Sequence, residues 1–70
     1  MTLGQIIKNK RQKLNLSQME LAEEIGISQS QICKIETDIS KPSYDILIEL
    51  SNALKCNVNE LTKEKRYINE

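Results

Sequence analysis

Seventy residues suffice for one small domain and leave no room for a second. Ten Lys+Arg balance ten Asp+Glu, hydrophobic residues make up 39 %, charged residues 29 %, and Tyr44 and Tyr67 are the only aromatics. This excludes a disordered chain and a helical membrane span, because apolar residues recur throughout and no apolar run approaches the ~18 residues a bilayer requires.

The sequence contains no histidine, which removes the commonest general base and the commonest metal ligand. Cys33 and Cys56 lack a CxxC spacing and read as two reduced thiols rather than a disulfide or zinc site. No metal, cofactor or small-molecule effector is expected. The N-terminal stretch MTLGQIIKNKRQK puts its charges after its apolar residues, the reverse of a secretory signal, so the expected location is cytoplasmic. A chain this small cannot build both a core and a deep substrate pocket, and composition argues against an enzyme.

Along the chain, a helix-start signal recurs: Ser, Thr or Asn with Glu or Gln three residues later. Thr2 with Gln5 opens helix 1, whose apolar stripe is Leu3, Ile6, Ile7 and Leu14, with Lys8, Lys10 and Lys13 mostly off it on a solvated face. Ser17 with Glu20 opens helix 2, which turns Leu21, Ala22 and Ile25 inward. Ser28 with Gln31 opens helix 3, which offers Ile32 and Ile35. Ser43, directly after Pro42 and with Asp45 in the first turn, starts helix 4, with Leu47, Leu50, Ala53 and Leu54 inward. Asn57 with Glu60 starts a short helix 5 carrying Val58 and Leu61. No stretch alternates with period two, so the expectation is an all-α, five-helix domain over residues 1–61. Residues 62–70, TKEKRYINE, read as a polar tail or an extension of helix 5.

Between Gln18 and Thr37 the chain reads QMELAEEIGISQSQICKIET, with the spacing of a helix-turn-helix. Ala22 suits a close crossing of helices 2 and 3. Gly26 suits the positive φ that ends helix 2. Leu21, Ile25, Ile27, Ile32 and Ile35 fill the space behind, and Ser28 caps helix 3 straight after the turn. Such a crossing holds helix 3 proud of the body, where its N-terminal residues can enter a major groove.

The run NLSQMELAEEIGISQSQICKIE followed by KPSYDILIELSNALKCNVNEL resembles the Cro and phage-repressor helix-turn-helix family, the xenobiotic-response-element type of regulator. The resemblance spans roughly residues 3 to 61. It implies a compact five-helix repressor-like DNA-binding domain that works as a homodimer on a near-palindromic operator. Carried over by position, Gln18 would bind a phosphate and brace Gln29. Gln29 would read adenine through its amide, Ser30 would face a base edge or phosphate, and Lys34 would reach guanine O6 and N7. Gln31, as capping partner of Ser28, is placed with the backbone contacts, together with Thr37, Ser40 and Lys41. Arg11 and Glu36 form a family-like structural pair, with spare Arg11 donors available to phosphate. One departure stands out: the family commonly has glycine two residues after the glutamate, where this chain has Asp38. Its carboxylate would lie near the DNA backbone, leaving Lys41 and the amides of residues 37–40 to grip phosphate.

Several of these features also have plain readings. A polar face on helix 3 can simply be solvated, Cys33 can be a small tolerated side chain, and Cys56 a core-edge residue. The zero net charge opposes DNA binding, but residues 1–19 hold Lys8, Lys10, Arg11 and Lys13 with no acidic residue, and Glu20, Glu23 and Glu24 belong on the side of helix 2 away from DNA. A dimer surface is expected near helices 4 and 5, because Val58 would be exposed in a monomer and Tyr44, Ile46 and Ile48 cannot all face inward. Tyr67 and Ile68 would extend it. The leading function is a sequence-specific double-stranded DNA-binding repressor. The alternative is a protein–protein module, such as an antitoxin, that needs a partner protein. An enzyme is the weakest reading, since nothing pairs a nucleophile with a base.

Overall fold

The computed structural model describes residues 1–62. Five helices follow one another: α1 (Leu3–Lys13), α2 (Gln18–Ile25), α3 (Gln29–Glu36), α4 (Tyr44–Ala53) and α5 (Val58–Leu61). No strand occurs among the described residues. Tyr67 and Ile68, and most of the expected tail, lie outside them.

Each helix begins where the sequence places a cap. The hydroxyls of Thr2, Ser17 and Ser28 accept from the N–H three residues on. Gln5, Glu20 and Gln31 reach back to the cap N–H at 3.0, 2.8 and 2.9 Å, so two otherwise orphaned donors are satisfied at each start. Ser43 Oγ accepts from the Ile46 N–H at 3.3 Å, and Glu60 accepts from the Asn57 N–H at 3.2 Å.

The helix ends are less uniform. α2 stops at Gly26, whose φ of +79° suits a residue without Cβ. α1, α3 and α4 close instead through Asn15, Asp38 and Lys55, at φ +59°, +62° and +58°. After each, the next N–H folds back onto the helix: Leu16 to the Arg11 carbonyl at 3.1 Å, Ile39 to Lys34 at 2.9 Å, Cys56 to Ser51 at 2.9 Å. Asn and Asp visit this left-handed region more readily than Lys, so the strained closure is the one at Lys55. The early turn at Asn15 also corrects the reading of Leu14. Expected to complete the α1 stripe, it is the cap residue of α1 and 37 % exposed.

The core takes Leu3, Ile6 and Ile7 from α1, Leu21 and Ala22 from α2, Ile32 and Ile35 from α3, Leu47 and Leu50 from α4, then Leu54 and Leu61. Ile7, Leu21, Ile32, Leu47, Leu50 and Leu61 are fully buried, each worth about 1.5–3 kcal/mol against exposure. Ile25, Ile27, Ile46, Ala53 and Cys56 pack around this center. Val58, expected to be exposed, is half-buried. α2 packs on both α3 and α4, while α1 packs on α3 and α5, which leaves one face of α3 uncovered.

Two contacts lie beyond the sequence reading. At Gly4 a Cβ would stand 2.6 Å from the Ile35 carbonyl oxygen and closer still to that of Glu36, so α1 crosses the end of α3 backbone to backbone. Lys10, expected on the solvated face of α1, places its Nζ 2.9 Å from Glu60 Oε1 and ties α1 to α5.

Candidate nucleic-acid interface

The uncovered face of α3 carries Gln29, Ser30, Cys33, Lys34 and Thr37, all exposed. Their spacing puts them on one stripe, opposite the buried Ile32, Ile35 and Glu36. The stripe is mostly uncharged: a carboxamide, two hydroxyls, a thiol and one ammonium. It can donate to and accept from base edges and has little bulk charge for phosphate.

The far end of α3 is anchored. Glu36 Oε2 accepts from Arg11 Nε at 2.6 Å and Oε1 accepts from Arg11 Nη2 at 3.0 Å, with side-chain exposures of 9 % for Arg11 and 1 % for Glu36. This is the pair that the family resemblance implied, here made through two hydrogen bonds. Arg11 Nη1 donates to the Leu16 carbonyl at 2.7 Å. Gln18 Nε2 donates to Glu36 Oε1 at 3.0 Å. Gln18 therefore braces Glu36 rather than Gln29, because the carboxylate has an acceptor position left at the place where α2 begins.

The α3–α4 loop also departs from expectation. The Asp38 carboxylate, placed near DNA by the sequence reading, turns instead to the start of α1. It accepts from the Gly4 N–H at 3.0 Å and from the Thr2 hydroxyl at 2.6 Å. The amides of residues 37–40 were candidates to grip phosphate, yet they close α3. Thr37 donates to the Cys33 carbonyl at 3.0 Å, Asp38 to Ile35 at 3.1 Å, and Ile39 and Ser40 to Lys34 at 2.9 and 3.1 Å. The Thr37 hydroxyl likewise donates to the Cys33 carbonyl at 2.8 Å. Gln31 Oε1 is held by the Ser28 N–H and hydroxyl at 2.9 and 3.2 Å, while Ser40 and Lys41 are exposed on the loop.

Other chemistry is sparse. Cys33 is an exposed free thiol and Cys56 a half-buried one. Burial pushes the Cys56 thiol up, away from reactive thiolate. The bond to Glu60 holds the Lys10 ammonium above the usual lysine range. Among the described residues no group of three or more potential ligands could hold a metal ion, and no helix is long and apolar enough to cross a membrane. On α4, Tyr44 and Ile48 stand one turn apart, 57 % and 37 % exposed, with Ile46 half-buried.

Residues 7–61 match the helix-turn-helix family profile. The immunity repressor protein of Bacillus phage phi105 is 37 % identical over all 70 residues, which span 49 % of that protein. The chain thus spans about half the length of this curated relative, and 41 % of two mycobacterial regulators it also matches. Among solved structures, the P22 c2 repressor in complex with a synthetic operator superposes with a TM-score of 0.87 at 32 % identity, covering 90 % of this chain and 96 % of that one. SinR, a master regulator of biofilm formation solved in complex with DNA, gives 0.81 at 34 % identity, covering 86 % and 97 %.

Proposed function

The chain belongs to the helix-turn-helix family of phage-repressor and Cro-like regulators, and on that premise we propose that it is a sequence-specific double-stranded DNA-binding transcriptional repressor acting as a homodimer. The observation that carries this reading is the exposed stripe on α3, held out by a buried anchor at the helix's other end. The fold matches a repressor solved on operator DNA over nearly that whole chain.

In this reading residues 1–61 are the DNA-binding unit, and α3 enters the major groove with its N-terminal turn leading. Gln29 reads adenine through paired amide bonds, Ser30 meets a base edge, and Lys34 reaches guanine. Gln18, with one amide donor spent on Glu36, offers the other to phosphate, beside Gln31, Ser40 and Lys41. Thr37 and Arg11 are the weaker backbone contacts, because their donors are largely committed within the fold. Tyr44, Ile46 and Val58 supply the apolar part of the dimer surface. A neutral total charge makes non-specific binding weak, so occupancy rests on base contacts and on dimerisation.

Selection of duplexes from a randomised library by the purified chain tests this. The expected product is an inverted repeat with half-site centers about one helical turn, ~34 Å, apart. Recovery of no sequence above background would refute it and favor the partner-dependent module.

A further inference from the structure

The left-handed position after α3 is occupied by an aspartate, and its carboxylate does something that a glycine there could not. Thr2 already closes the capping box of α1, accepting from the Gln5 N–H at 3.2 Å while Gln5 accepts from the Thr2 N–H at 3.0 Å. Asp38 joins that box from 36 residues away, accepting from the Thr2 hydroxyl and from the neighboring Gly4 N–H. At the same place the missing Cβ of Gly4 lets α1 touch the Ile35 and Glu36 carbonyls. One hydrogen-bonded joint therefore links the first turn of α1, the last turn of α3 and the loop that carries Ile39, Ser40 and Lys41. Ile39, next to Asp38, is 76 % exposed, and the first buried residue of the loop is Pro42, four positions after Asp38, so the stretch between them depends on hydrogen bonds.

We propose that Asp38 is a positioning residue of the DNA-binding surface: its bonds to Thr2 and Gly4 set the α3–α4 loop beside the recognition helix and turn a negative charge toward the start of α1, away from phosphate. The α1 N-terminus suits that charge, because its exposed N–H groups and helix dipole are positive there. This rests on the DNA-binding reading above and deepens it. Charge and positioning make opposite demands on variants. Asp38→Asn and Asp38→Gly both remove one negative charge, and both accept the left-handed backbone. Only asparagine keeps the joint, with Oδ1 facing the Gly4 N–H and Nδ2 donating to the Thr2 hydroxyl.

The test compares the wild-type chain, Asp38→Asn and Asp38→Gly on the duplex that the wild type selects and on an unrelated duplex of equal length. Binding is measured where circular dichroism shows all three fully folded. Asp38→Asn should bind both duplexes at least as tightly as wild type. Asp38→Gly should bind both duplexes about fivefold more weakly than Asp38→Asn, the equivalent of one net hydrogen bond, because the loop it releases contacts phosphate rather than bases. Equal binding of the two variants to the selected duplex would overturn the proposal while leaving the DNA-binding reading intact. Failure of the wild type to bind any duplex would overturn both.

Discussion

The two ends of α3 are built on opposite terms. At its N-terminal end the backbone is satisfied within the helix by Ser28 and Gln31, and Gln29 and Ser30 project from the fold. At its C-terminal end two carboxylates reach other elements: Glu36 bonds Arg11 and Gln18, and Asp38 bonds Thr2 and Gly4. A helix of eight residues has little stability of its own. Anchoring one end by side chains from α1 and α2 lets the other end present polar groups without packing them. The difference separates labor along a single helix: substitutions at the Arg11–Glu36 anchor change folding, and those at Gln29 and Ser30 change recognition.

The strongest break of that separation is Arg11→Ala. It leaves the Glu36 carboxylate buried without its charge partner and should cost about 3–5 kcal/mol of stability, read as a lowered denaturant midpoint. Gln29→Ala should do the converse. Its unfolding midpoint should stay within ~0.5 kcal/mol of wild type, while discrimination at one base position falls by about 1–3 kcal/mol in competition binding. Lys41→Ala should weaken all duplexes alike and lower the slope of log K against log salt by about one. The closure of α4 sharpens the comparison, because Lys55 holds a left-handed turn that a β-carbon disfavors. Lys55→Gly should therefore raise stability by up to ~1 kcal/mol and leave DNA binding unchanged.

The pH response is expected to be the smallest effect. With no histidine, binding should be flat between about pH 6 and 8. The raised Cys56 thiol resists ionisation in the fold, so its contribution is intact below about pH 8.5 and declines above it. The contribution of Lys10, held by Glu60, persists until the pH climbs past the usual lysine value. Thermal unfolding should show this loss as the pH rises on the alkaline side.

Much of this was legible in the sequence because it is local. Capping pairs, the glycine after α2 and the apolar spacing act within one or two turns, and they placed all five helices. The Arg11–Glu36 pair came from resemblance, since 25 residues separate its partners. What stayed hidden depends on where helix ends meet. Leu14 looks like a fourth stripe position until Asn15 turns the chain, and Lys10 looks solvated until α5 brings Glu60 to it. Gly4 did leave a signal: glycine in a helix costs about 1 kcal/mol against alanine, and its presence in the first turn of α1 fits a close approach. Asp38 stood out only as a departure from the family's glycine, because its partners, Thr2 and Gly4, lie 36 and 34 residues earlier in the chain and no local pattern names them.

Whether α3 and its following loop form the DNA-binding surface is tested most simply by amide chemical-shift mapping of the chain during titration with the duplex it selects. The largest changes should fall on Gln18, Gln29, Ser30, Lys34 and the loop at residues 38–41. The amides of Glu23, Glu24 and Glu49, on α2 and α4, should barely move. Changes concentrated on α2 and α4, with Gln29 and Ser30 unmoved, would contradict that assignment.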